Sequence, residues 1–167
     1  MIELFVGKKG TGKTKHLVEG VNKASGEAKG NVVFITDSSS RNMYDIKYDV
    51  RMVSANDFSI KSYPEFAAFI EGMISGNYDI TNIFIDAFFK IMGTSELDGM
   101  EAFLERLEKV SEKFNVDFVI SLSMDETDIP DYIKKYTKWQ SFERKNGWKV
   151  FPLVFLCEIG ENKYAIW

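Results

Sequence analysis

The sequence predicts an α/β fold: a three-layer sandwich with a mainly parallel central sheet, one domain over residues 1–167, and an antiparallel hairpin extension at the C-terminal end. Three observations predict it. Apolar, β-rich runs alternate with amphipathic segments of helical period, the pattern of a parallel sheet covered by helices on both faces. A strand, a glycine-rich loop and a helix follow one another from Ile2 to Lys23. The tail changes character, with Asn146-Gly147 as a two-residue hairpin signal. A chain of 167 residues suits one domain with a substantial core.

The elements follow in order. Ile2–Val6 (IELFV) is a short buried strand. Lys13–Lys23 places Leu17, Val18 and Val21 at helical spacing. Ser25-Gly26 and Gly30 mark a connection, and Asn31–Thr36 (NVVFIT) is a second strand, followed by a polar loop from Asp37 to Ser40. Val50–Val53 is a short third strand. Ser62 and Glu65 form a capping box around Pro64, opening a helix with Phe66, Phe69, Ile70, Met73 and Ile74 on one face and ending at Gly76-Asn77. Ile83–Ile85 is the next buried strand, with Asp86 at its C-terminal end. A long amphipathic helix covers about Leu97 to Phe114, with the stripe Met100, Phe103, Leu104, Leu107 and Val110. Val116–Leu122 is a further strand, and Asp128 and Pro130 open a short helix. Trp139–Arg144 and Trp148–Leu156 flank the hairpin turn. Pro152 predicts an edge or bulge there, and Gly160–Asn162 turns the chain into Lys163–Trp167.

Composition narrows the class. With 45% hydrophobic and 28% charged residues the chain reads as a soluble globular protein. Its longest apolar runs, such as Val150 to Cys157, are too short to cross a bilayer. No basic segment leads into an apolar one at the start, so no signal peptide and a cytoplasmic location are expected. Cys157 is the only cysteine, which leaves no disulfide and no cysteine-rich zinc site. Residues 1–50 carry eight basic and six acidic groups, residues 51–110 five and ten, and residues 111–167 eight and nine. The basic excess therefore gathers around Lys8, Lys9, Lys13 and Lys15. It is enough to attract a nucleotide and falls short of the basic face of a dedicated nucleic-acid binder. The acidic middle reads as a solvated helix face.

Residues 7–14, GKKGTGKT, fit the phosphate-binding pattern G-x-x-x-x-G-K-[ST] through Gly7, Gly12, Lys13 and Thr14. Gly7, Lys8, Lys9, Gly10, Thr11, Gly12, Lys13, Thr14 and Lys15 are the expected nucleotide contacts. Glycine lets main-chain N–H groups close on a polyphosphate. Lys13 brings a point charge to the β- and γ-phosphates, the Thr14 hydroxyl suits Mg²⁺, and the following helix turns its positive end to the same anion. Asp86, after the apolar run Asn82–Ile85, is the matching carboxylate for Mg²⁺. Asp37, at the end of the second strand, reads either as a catalytic base or as a residue that starts a loop. Ser121 and Ser123 sit at a strand end, where serine also serves turns. Arg41 is within reach of a phosphate or else a solvated loop residue, and His16 packs beside the loop or faces water.

On these residues the chain resembles the P-loop nucleoside triphosphatase superfamily, with Gly7–Thr14 as Walker A and Asn82–Asp86 as Walker B. The layout is similar to the RecA-like branch, which places an extra strand between the P-loop strand and the Walker B strand. In that branch a carboxylate from a neighbouring strand end activates water, a role the resemblance passes to Asp37. It also implies a polar γ-phosphate sensor near Ser121 and Ser123. The start, LFVGKKGTGKTKHL, looks like short bacterial ATP-binding proteins of unassigned role. Type II thymidine kinases share the size and strand order, but they carry Asp-Glu where this chain has Asp86-Ala87, and a cysteine-based zinc lasso. Many ATP-hydrolysing relatives have glutamate at the position of Ala87.

No Asp-x-x-Gly follows a strand and neither Asn22-Lys23 nor Asn162-Lys163 continues to x-Asp, so guanine recognition has no candidate and ATP is the expected nucleotide. Three readings stay open: a slow Mg²⁺-dependent ATPase or ATP-responsive switch; a small-molecule, nucleoside-type kinase with Asp37 as base and Tyr44, Phe58 or Phe88 stacking a base; and a non-catalytic, nucleotide-stabilised interaction module. In the last, the aromatics Tyr132, Tyr136, Trp139, Trp148 and Trp167 meet a protein partner or a second copy; otherwise they cover the core edge.

Overall fold

The computed structural model describes residues 1–37 and 45–137. Arg41, Tyr44, the hairpin around Asn146-Gly147, Cys157 and the three tryptophans lie outside the described residues. Strands β1 (Ile2–Gly7), β2 (Asn31–Thr36), β3 (Arg51–Ser54), β4 (Ile80–Ile85) and β5 (Asp117–Ser123) form one sheet in the order β1-β5-β4-β2-β3. Every pairing is parallel. The helices are α1 (Lys13–Glu27), α2 (Tyr63–Gly76), α3 (Phe88–Met92), α4 (Met100–Phe114) and α5 (Asp131–Lys134).

Alternation along each strand builds the layers, because successive side chains leave a strand on opposite faces. Val32 and Phe34 of β2 and Phe84 of β4 pack with Leu17, Val21 and Ala24 of α1. Their neighbours Val33, Ile35, Ile83 and Ile85 point the other way, into a larger cluster with Phe66 and Ile70 of α2 and Phe103, Leu104 and Leu107 of α4. The sheet thus carries α1 on one face and α2 with α4 on the other. At the second face Tyr63, Phe66, Phe88 and Phe103 form an aromatic cluster with ring centroids 5.3–5.9 Å apart.

Several boundaries move from the expected ones. Helix α1 runs through Ser25-Gly26 to Glu27, where a connection was expected. Ala24 is buried against the sheet and holds that last turn, and Ser25 reaches out to the Asp49 carboxylate at 2.5 Å. Gly30 is where the chain tightens: a Cβ there would lie 2.1 Å from the Asp79 carbonyl oxygen. Helix α4 starts at Met100, three residues after the expected Leu97, because Gly99 is left-handed (φ 87°) and breaks the helical path. The five-residue α3 has no counterpart among the expected elements. The capping box is displaced by one residue: Ser62 Oγ accepts from Glu65 N–H, while the Glu65 carboxylate accepts from Lys61 N–H at 2.7 Å.

Candidate functional site

The loop between β1 and α1 is shaped by its glycines. Gly10 (φ 87°) and Gly12 (φ 83°) are left-handed, a region that penalises any residue with a Cβ. A Cβ at either would meet no protein atom within 4 Å, so main-chain conformation and not crowding calls for glycine. Thr11 ties the loop to itself through its hydroxyl, which donates to the Lys8 carbonyl at 2.8 Å. The first closing bond of α1 runs from His16 N–H to the Gly12 carbonyl at 3.2 Å. The N–H groups of Lys13 and Thr14 precede it at the open, positive end of a 15-residue helix.

Lys13 folds back over this loop. Its Nζ donates to the carbonyls of Gly7 and Lys8, each at 2.7 Å. Burial holds its pKa below the ordinary 10.5, against the opposing pull of the Asp86 charge. Lys8 pairs with Asp125 at 2.7 Å. Lys9 and Lys15 are exposed, and Lys15 lies 4.0 Å from Glu19 along α1. His16 is 3.7 Å from the Glu19 carboxylate, so it engages its own helix.

Asp86 meets Thr14 across the sheet edge. The Thr14 hydroxyl lies 2.9 and 3.1 Å from the two Asp86 oxygens, although 72 residues separate them in the chain. The carboxylate is buried, and Ser121 of β5 donates to Oδ1 at 2.8 Å. The Asp86 N–H donates to the Ile35 carbonyl at 2.8 Å, which locks the end of β4 to β2. Thr14 Oγ1 and Asp86 Oδ2 are hydrogen-bonded at 2.9 Å, and both are hard oxygen donors of the kind Mg²⁺ takes, so the chemistry of this pair fits the metal. Among the described residues no group of three or more His, Cys, Asp or Glu is assembled. A Mg²⁺ that keeps several waters and phosphate oxygens does not need one.

Ala87 follows Asp86 in the left-handed region (φ 54°, ψ 42°) and caps α3. That conformation disfavours L-residues by about 1–2 kcal/mol, and it directs the chain out of β4 just after Asp86. Ala87→Gly should raise stability by about 0.5–1 kcal/mol, since relief of strain exceeds the entropy glycine adds to the unfolded chain. Urea denaturation measures it, and a loss of stability would contradict the strain.

Asp37 stands at the end of β2, next to β4, with its side chain mostly covered. Its partner is one that the sequence did not bring to notice: Lys90 of α3, at 3.6 Å. A cation four residues after a strand-end aspartate was the available signal, and it is unreadable until α3 is known to exist. Ser123 is exposed, whereas Ser121 is buried against Asp86. A groove of about 470 Å³ between α4 and α5 is lined by Glu101, Glu105, Glu108 and neighbours, and includes no loop residue, Asp37 or Asp86. Among the described residues no helix is long and apolar enough to cross a membrane. Comparison with protein-family models and with curated proteins gives no match.

Proposed function

We propose that this chain is a P-loop ATP-binding protein and a slow Mg²⁺-dependent ATPase. The observation that carries the reading is the Thr14–Asp86 contact at 2.9 Å: a hydroxyl from the end of the glycine loop and a buried carboxylate from a distant strand converge at one point. The strand order adds support, since β5 lies between β1 and β4, where the RecA-like layout has its extra strand. In this reading the loop N–H groups and the start of α1 enclose the phosphates, and Lys13 releases the Gly7 and Lys8 carbonyls to face the β- and γ-oxygens. Thr14 and Asp86 would hold Mg²⁺, which supplies charge compensation on the phosphates. Asp37 takes the proton of the attacking water, and Lys90 is its counter-charge.

Calorimetry with Mg·ATP tests binding, and phosphate release tests turnover. Asp37→Ala should lower turnover about 100-fold, the scale of a lost general base, while Mg·ATP affinity stays within about threefold. Wild-type protein without Mg·ATP affinity would overturn the reading. Equal turnover in wild type and Asp37→Ala would remove Asp37 from the chemistry.

A further inference from the structure

We infer that Ser121 is a positioning residue that fixes the Asp86 carboxylate in its metal-holding orientation. The inference rests on the proposed Mg·ATP site and adds a residue to it. Ser121 is 2% exposed, so its hydroxyl has no access to bulk water and its bonds must be made within the protein. Its oxygen accepts from the Ala87 N–H at 2.9 Å. A serine hydroxyl carries one proton, and a carboxylate only accepts, so that proton is committed to Asp86 Oδ1 at 2.8 Å. The polarity of the chain Ala87 N–H, Ser121 O–H, Asp86 Oδ1 is therefore settled.

The two hydroxyls on Asp86 differ in what they can do next. Thr14 also has one proton and lies near both carboxylate oxygens, and it is only partly buried. To ligate a cation it must present a lone pair to that cation while its proton stays with an acceptor. Ser121 faces no such demand, and its bond persists with or without a cation. It occupies Oδ1 and leaves Oδ2, the oxygen nearer Thr14, for the metal. Its place on β5, the strand between β1 and β4, sets it opposite Phe5 of β1 and beside the end of β4, where its hydroxyl reaches the carboxylate. A buried serine so occupied has no proton left for a γ-phosphate, so sensing at this strand end falls to the exposed Ser123 or to neither.

The test is a Mg²⁺ titration of nucleotide binding, read by calorimetry at fixed ATP, with binding of Mg²⁺-free ATP measured in chelator. Ser121→Ala removes the donor. Ser121→Cys keeps nearly the same volume with a weak donor, and it decides the case if the alanine protein fails to fold. Loss of a hydrogen bond to a ligating carboxylate weakens metal affinity by about 10–100-fold. The half-saturating Mg²⁺ concentration should rise by that factor in both variants, with affinity for Mg²⁺-free ATP within about threefold of wild type. Unchanged Mg²⁺ dependence in the variants, or an equal loss in both measurements, would overturn the role of Ser121. A wild-type protein whose ATP binding ignores Mg²⁺, or that binds no ATP, would instead remove the site on which it depends.

Discussion

Lys13→Ala should weaken Mg·ATP binding by about 100-fold while leaving the melting temperature within a few degrees of wild type. A hydrogen bond to a charged partner contributes about 1.5–3 kcal/mol, and about 2.7 kcal/mol is a factor of 100. The fold tolerates the change because the carbonyls of Gly7 and Lys8 that Lys13 engages are at a partly open surface, where water replaces the ammonium. Lys13→Arg should not restore binding, since a planar fork cannot stand in for a point charge in so tight a loop. The pH dependence has a definite sign. Burial lowers the Lys13 pKa from 10.5, so between the lowered value and 10.5 the unfolded chain binds more protons than the folded one. Stability from this group therefore rises as pH climbs through that window. Nucleotide affinity goes the other way, because the phosphates need the charged form. Calorimetry from neutral pH upward should show affinity falling below pH 10.5 in wild type and no such fall in Lys13→Ala. Equal affinities of the two proteins at neutral pH would rule out the assigned contact.

Phe88→Ala should cost about 3–5 kcal/mol of stability, the scale of a large aromatic removed from a closed core. Phe88 is fully buried and its ring meets those of Tyr63, Phe66, Phe89 and Phe103. Domains of this kind have about 5–15 kcal/mol in all, so the loss would remove a sizeable share of the stability. The effect also reaches the site. Phe88 is the first residue of α3, two places after Asp86, and its anchorage holds the left-handed turn at Ala87. Urea midpoints measure the loss, and Phe88→Leu should retain most of the stability. A change below about 1 kcal/mol would show that the aromatic cluster closes without this ring. The two substitutions separate the two tasks of the region: one removes binding and spares the fold, the other loosens the fold.

The glycine loop was legible because its requirements are local. Gly10 and Gly12 take left-handed angles within a few bonds of one another, and sequence spacing carries that information directly. The same holds for the strands, whose apolar runs are short and bounded, and for the stripe Met100, Phe103, Leu104, Leu107 and Val110, every member of which is buried. Helix ends were less legible. Ser25-Gly26 reads as a break, yet packing of Ala24 carries α1 through it, a tertiary effect that outweighs the weak propensity of glycine. Helix α3 was hidden because Phe88, Phe89, Ile91 and Met92 are buried nearly all round and show no polar face by which a helical period could be recognised. Asp86 announced itself as the end of an apolar run. The pairing of Asp37 with Lys90 and the bond from Ser121 did not, because each joins residues on different elements and depends on the order of strands in the sheet.

That order has a consequence for how the protein comes to exist on the ribosome. The loop emerges first and its partner aspartate some 70 residues later, yet β5, which lies between their two strands, is the last of the five to be made. Among the described residues β1 has no other strand beside it, so a nascent chain halted at Asn115 carries both chemical halves without the strand that joins them in the sheet. Such distant pairing closes slowly. The sheet between the loop and Asp86 is therefore completed only once β5 has been made.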